Sequence, residues 1–313
     1  MNRRTFTKSL AVTAATIGLR GVPAFGCKTI RLFSITMDDF FWQNAVRLTA
    51  QERNQSILDT FTKHKIKAAA FVVGRNVEQQ DGKDIVAAWD KAGHLIGNHT
   101  YSHRDFNAPE AELKTYTEDI LRAEALLKNY PRFRKYLRFP MLKEGDTPAK
   151  RDGMRAFMSQ NGYRNGHVTV DNSDWAIDQR LTARLQKEPN VDLKPYREFY
   201  LEHMWARAEY YDKLAQRVAN RTVKHTILTH FNLLNGLFLD DVIKMLKGKG
   251  WEPIDAEEAY TADSIFTAQP KVLPAGESLI WSLAKEKGKI AKTLRYPAED
   301  SQYENKRMNK LGL

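Results

Sequence analysis

The chain has 313 residues, 42% of them apolar, with a single cysteine and a formal net charge of +11. That is enough apolar material to bury a core in one large domain or two small ones, and one cysteine excludes both an intramolecular disulfide and a cysteine-rich zinc site. Arg3, Arg4, Lys8 and Arg20 carry four of the positive charges; +11 less these four leaves +7, scattered among Glu and Asp with no nucleic-acid-binding motif, so no nucleic-acid partner is expected.

The stretch NRRTFTK (2–8) leads into SLAVTAATIGL (9–19), an apolar run too short and too polar to span a membrane. Paired arginines ahead of such a run resemble a twin-arginine export signal, and Ala24 and Gly26 suit a cleavage site. Residues 1–26 are therefore expected to be a signal peptide read by the export machinery for folded proteins, giving a periplasmic or extracellular product. Cys27 follows at once, and membrane contact is expected only if it is lipidated.

Apolar runs then alternate with helical periodicity. Strands are expected at 31–36, 66–74, 94–100, 135–140, 167–170 and 225–230. Helices are expected at 52–65, 84–93, 109–130, 148–161, 192–220 and 238–250. Buried strands alternating with amphipathic helices imply an α/β fold with a parallel sheet, either open and doubly wound or closed as a barrel. The rhythm lapses after residue 262, where Pro270, Pro274 and Pro297 occur, so 263–313 reads as an extension packed on the domain.

Chemistry-bearing residues gather at the C-terminal ends of the strands: Asp38 and Asp39, His99, Arg138, Asp171 and Asp174, His230. In a barrel that face carries the active site. Adjacent carboxylates raise one another's pKa unless something positive intervenes, so Asp38–Asp39 calls for a metal, an arginine or open solvent. His99 and His103 stand four apart, and two imidazoles with one carboxylate make a three-ligand set that leaves positions open for water.

In order along the chain, TMDDF (36–40), HTYSH (99–103), RFP (138–140), DNSDW (171–175) and LTH (228–230) resemble the five motifs of the polysaccharide deacetylase family, the NodB homology domain of carbohydrate esterase family four. The resemblance covers about residues 30–262. It implies a distorted or incomplete (β/α) barrel as a catalytic domain over 27–262, with a helical insertion at about 181–220. It implies that Asp39, His99 and His103 hold one divalent metal, most often zinc in the family. Asp38 is implied as general base, paired with Arg138, and His230 as general acid, oriented by Asp174. Pro140, Met141, Trp175, Leu228 and Phe40 are implied to meet the substrate, Met141 through its backbone N–H at the oxyanion and Trp175 as a wall of the acetyl pocket or a support for His230. The implied activity is removal of acetyl groups from N-acetylated amino sugars of a cell-wall or extracellular glycan, an acetylated glycan or oligosaccharide being the partner. An O-acetyl esterase or deformylase on another glycan or lipid-linked sugar, or a non-catalytic carbohydrate-binding protein on the same scaffold, are the alternatives.

Two departures from the family pattern stand out. Phe40 occupies the place of a Gly, which permits positive φ and close approach; Phe40 and Phe41 are expected to narrow or reshape the mouth. No Gly follows RFP, and Lys143 and Glu144 are expected to add charge near the site. The aromatic stretch 196–211 has the spacing of a core-facing helix more than of a sugar platform. Asp171 is expected to turn or cap the chain. His94, His167 and His225 match no motif and are expected to be structural, and His64 and His203 to lie on exposed helix faces.

Overall fold

A computed structural model describes residues 30–295 and 301–313; residues 1–26, expected to be a signal peptide, Cys27 and Pro297 lie outside the described residues. The chain forms strands β1 (Arg31–Asp39), β2 (Ala69–Val72), β3 (Leu95–Asn98), β4 (Phe133–Leu137), β5 (Lys143–Gly145), β6 (Arg164–Asn165), β7 (Lys224–His230), β8 (Trp251–Pro253) and β9 (Ala275–Gly276). Between them run helices α1 (Ala50–His64), α2 (Gln80–Lys91), α3 (Leu113–Leu127), α4 (Pro148–Gln160), α5 (Asp174–Lys187), α6 (Lys194–Ala219), α7 (Leu233–Gly248), α8 (Ala256–Ala262), α9 (Leu279–Glu286) and α10 (Gln302–Leu311). Seven strands make one parallel sheet in the order β6-β4-β3-β2-β1-β7, with β8 joining the first residues of β1. β5 and β9 pair antiparallel, apart from it.

Both faces of the central strands are covered, which is why β1 is buried without a break from Phe33 to Asp38 and β2 throughout. Each helix turns an apolar stripe inward: Ile57 and Phe61 from α1, Ile85, Val86 and Trp89 from α2, Ile120, Ala123 and Leu127 from α3. α1 starts at a capping box in which the Thr49 hydroxyl accepts from the Glu52 N–H and Glu52 accepts from the Thr49 N–H. The aromatic stretch 196–211 lies in α6 and turns Tyr196, Phe199, Tyr200, Met204 and Tyr211 into the main core.

Two elements differ from the sequence expectation. Residues 167–170 form no ladder strand, and only Val170 bridges to Ile227. Threonine hydroxyls take the ladder's place: Thr226 Oγ1 donates to the His167 carbonyl at 2.8 Å, and the Thr226 N–H to Thr169 Oγ1 at 2.8 Å. The sheet therefore has a seam between β6 and β7. The last long helix begins at Leu233 rather than 238, because Asn232 caps it by accepting from the Asn235 N–H. Gly236 early in it lets α1 pack closely, since a Cβ there would come within 3.0 Å of Arg53 and Leu48.

Register brings the strand ends level. Asp38 is the pairing partner of His230 on β7 and Phe71 on β2, and Val72 pairs with both Asp39 and Asn98. Beyond the Val170–Ile227 bridge the chain runs on to the same end, where Asp174 meets His230.

Candidate active site

Successive side chains of a strand point to opposite faces, yet Asp38 and Asp39 both reach His99. The chain reverses as it leaves β1: Asp39 has φ +82° and Phe40 φ +63°, and the Phe40 N–H turns back onto the Asp38 carbonyl. His99 Nε2 lies 3.5 Å from Asp39 Oδ1 and 3.8 Å from Asp38 Oδ2, and His103 Nε2 lies 3.2 Å from Asp39 Oδ1. Asp39 Oδ1 is buried and makes no hydrogen bond among the described residues. Burial alone would raise the Asp39 pKa, but the His103 and His99 contacts and the charge of His230 hold it well below the usual carboxylate range.

His99 Nδ1 lies 2.8 Å from the Arg138 carbonyl, which can only accept, so the ring proton is assigned to Nδ1 and the Nε2 lone pair faces Asp39. Two lone pairs facing one another repel unless a cation lies between them. The ligand atoms of Asp39, His99 and His103 all fall within 4.8 Å of one another. The donor set fits a divalent ion of the zinc type, with the Arg138 carbonyl orienting one ligand from behind.

The histidine loop is itself held. Asp119 Oδ2 on α3 accepts from the N–H groups of Tyr101 and Ser102 at 2.9 and 3.0 Å, Asn98 Oδ1 accepts from Thr100, and Thr100 Oγ1 accepts from His103. Thr100 and His103 have positive φ, a conformation that bonded neighbours must impose on residues other than glycine.

Asp38 is 2% exposed, and both its oxygens accept from Arg138 Nη1, at 2.9 and 3.0 Å. The guanidinium also donates to the Gly166 carbonyl, Thr36 Oγ1 and the Tyr260 hydroxyl, and it lies over Phe71 at 4.3 Å. Burial works against the Arg138 charge, but Asp38 and Tyr260 outweigh it and raise its pKa.

Across the register from Asp38, His230 Nδ1 lies 2.6 Å from Asp174 Oδ1, while Asp174 Oδ2 accepts from the His230 N–H at 2.9 Å and from Asn235 Nδ2 at 2.6 Å. Burial opposes the imidazolium, but Asp174, with Asp39 and Asp38 behind it, raises its pKa to about 10. A folded-state pKa above the free value of about 6.5 means that this pair's stabilisation is complete below about pH 6.5 and is lost as pH rises through about 10. Thermal midpoints of chelated protein should fall across that window, and His230→Gln should remove that part of the fall.

Pro140 and Met141 form a tight turn after Arg138; Met141 is 49% exposed with φ +50°, and its N–H, second in the turn, has no acceptor within it. Trp175 is half-buried in the first turn of α5. Leu228 packs with Leu142 and Val168 in a small apolar cluster. Lys143 pairs with Glu277 at 2.8 Å, and the partly buried Glu144 accepts from Asn165 Nδ2 at 2.7 Å.

Phe40 is a correction. Its side chain is 1% exposed, stacked on Phe231 at 4.9 Å and edge-on to Trp89 at 4.8 Å, so it cannot narrow the mouth or touch a substrate. The left-handed backbone that Gly would favour is kept, and it turns the ring into the core; Phe41, 39% exposed, is the one left at the surface. Phe40→Gly would relieve about 1–2 kcal/mol of backbone strain but lose about 3–5 kcal/mol of buried aromatic packing. A net loss of about 2 kcal/mol in denaturant unfolding is expected, without loss of activity per folded molecule.

The two helix histidines are also corrected. His64 keeps only 7% of its side chain exposed, paired to Asp240, and His203 is buried at 3%. His94 accepts from the Ala68 N–H, and His225 lies beside Thr169 and Asp212; both are buried. Asn98, Asp119, Tyr260 and Asn235 support the site and escaped the sequence reading. Only Asn235, three residues beyond a capping Asn, carried a local signal.

Residues 26–165 match the family model described as polysaccharide deacetylase. A peptidoglycan-N-acetylglucosamine deacetylase of Bacillus cereus is 34% identical over 125 residues, 40% of this chain and 42% of that protein. A chitin deacetylase of Colletotrichum lindemuthianum is 26% identical over 172 residues, 54% of this chain and 62% of that one. The chain thus spans about half the length of these curated relatives. Among solved structures, a CE4 family pseudoenzyme from Bacillus anthracis shares the fold at TM-score 0.51 and 15% identity, over 74% of this chain and 66% of that one. The parallel sheet with surrounding helices is the NodB-type distorted (β/α) barrel. With its motifs in order and its strand ends converging on one cluster, the chain is similar to the polysaccharide deacetylase family over the matched residues 26–165.

Proposed function

We propose that the chain is a metal-dependent hydrolase that removes acetyl groups from N-acetylated amino sugars of a cell-wall or extracellular glycan. One observation carries this reading: the arginine-held Asp38 and the aspartate-held His230 are register partners, and both border the Asp39–His99–His103 ligand set. Relatives named for peptidoglycan N-acetylglucosamine and for chitin support an N-acetylated glycan as substrate.

Asp39, His99 and His103 would hold a divalent ion, zinc in our reading, which when bound polarises the acyl carbonyl and lowers the pKa of water. Asp38, fixed by both its bonds to Arg138, takes the proton of the attacking water as the new C–O bond forms. The Met141 N–H is the donor for the developing oxyanion. His230, its Nδ1 engaged by Asp174, gives its Nε2 proton to the nitrogen as the C–N bond breaks, so that an amine leaves rather than an amide anion. Trp175 and Leu228, next to the Pro140–Met141 turn in role, wall the acetyl group. Arg3 and Arg4 ahead of the apolar run support export, and hence action outside the cytoplasm.

The test is acetate release from chitin oligomers, peptidoglycan fragments and acetylated xylan, before and after chelation. Release from the acetamido sugars should fall at least about a hundredfold on chelation and return with zinc. Undiminished release after chelation, or release from xylan alone, would overturn the reading.

A further inference from the structure

We propose that His203, coupled to Glu304 of the C-terminal helix, is a positioning residue for the Asp174–His230 pair. This rests on the reading of His230 as general acid. His203 lies mid-way along α6, far in sequence from every motif. Its Nε2 lies 2.5 Å from the Asn172 carbonyl and 3.3 Å from Glu304 Oε1, and the same carboxylate oxygen takes Arg207 Nη2 at 2.7 Å. All three side chains are buried. Burial and the Arg207 charge hold the His203 pKa down to about 3, so the ring is neutral with one N–H, and both facing groups are acceptors.

Asn172 is the hub that this N–H secures. Its Oδ1 accepts from the Asp174 N–H at 3.0 Å, its Nδ2 donates to the Leu228 carbonyl on β7, and its own N–H donates to Asp171 Oδ1 at 2.8 Å. It therefore ties the segment carrying Asp174 to the strand carrying His230, across the seam where a ladder is missing. Ser173, between Asn172 and Asp174, has φ +52°, a conformation that its bonded surroundings must impose. Release of the Asn172 carbonyl would let Asp174 drift, and Asp174 makes both the side-chain and the backbone contact to His230. The groups facing His230 are Asp174, Asp171 and Asp178 from the motif segment and α5, and Asp38 and Asp39 from β1.

Two probes separate positioning from general damage. A chitin oligomer releases an amine and needs the acid; 4-nitrophenyl acetate releases a phenolate that leaves unaided. His203→Leu should lower kcat on the oligomer about tenfold or more, with KM, zinc content and the ester rate little changed. The alkaline limb of the oligomer rate should move to lower pH, as His230 loses part of the field that raises its pKa. His203→Gln, which restores a donor, should recover much of the loss, and Glu304→Gln should show a smaller effect in the same direction. Parallel loss of both substrates with an unmoved alkaline limb would overturn the proposal. If His203→Leu does not fold, Glu304→Gln decides: an unchanged amide-to-ester ratio and unmoved limb overturn it. His230→Ala separates the two readings. If it spares the oligomer, the parent reading fails and this one with it; if it abolishes that activity while His203→Leu and Glu304→Gln match the wild type, only this one fails.

Discussion

Asp38→Asn should keep its divalent ion and lose about 10²- to 10⁴-fold in kcat, the usual contribution of a positioned general base. The candidate ligand atoms are those of Asp39, His99 and His103, none of which the substitution removes. The carboxamide still offers one oxygen to Arg138 but no longer removes a proton. Stability should suffer too. Removing one partner of a buried ion pair costs about 3–5 kcal/mol, but Arg138 retains Gly166, Thr36 and Tyr260 as acceptors, so the low end is expected and the fold survives. Metal analysis, acetate release and a thermal melt on one preparation test all three. An active Asp38→Asn enzyme with full zinc would exclude this mechanism.

His99→Ala should empty the metal site and reduce hydrolysis to background. The imidazole is 2% exposed and faces both acids, so its loss removes a ligand and the only bond seen to the Arg138 carbonyl among the described residues. A buried ligand is not readily replaced by water. His103, 26% exposed, is more open to solvent, and His103→Ala should weaken affinity while leaving an occupied site at high zinc. Titration with zinc under metal-buffered conditions separates the two variants. Stoichiometric zinc in His99→Ala would refute the ligand set.

Much of this arrangement was legible in the sequence because a parallel sheet collects its strand ends. Once Asp38–Asp39, His99, Arg138 and His230 each closed an apolar run, their meeting on one face followed from the architecture. The structure adds distances to that inference: 2.9 Å for Asp38–Arg138 and 2.6 Å for Asp174–His230. What failed were inferences from residue type alone. Phe40 stands in a motif, and its aromatic character suggested the mouth, but a positive φ reverses the side-chain direction and the core takes the ring. His203 lies at a helical spacing that does not say which neighbour it meets, and its partners Asn172 and Glu304 are 31 residues before it and 101 residues after it. The 167–170 segment had strand composition, but side-chain hydroxyls satisfied the backbone groups that a ladder would have used.

The seam between β6 and β7 has a consequence for how such a domain can diverge. An insertion inside a laddered strand pair must preserve register or expose a core face. No such demand applies where the chain crosses the seam on a single bridge, and there the protein carries the whole of α6 between Asp174 and His230, 56 residues apart. Asp38, Asp39 and His99 sit on or beside β1 and its laddered neighbours, where any insertion must respect register. The Asp174–His230 pair is joined across the stretch where sequence can be gained without that demand, and every gain there is an opportunity to reshape what the imidazole meets.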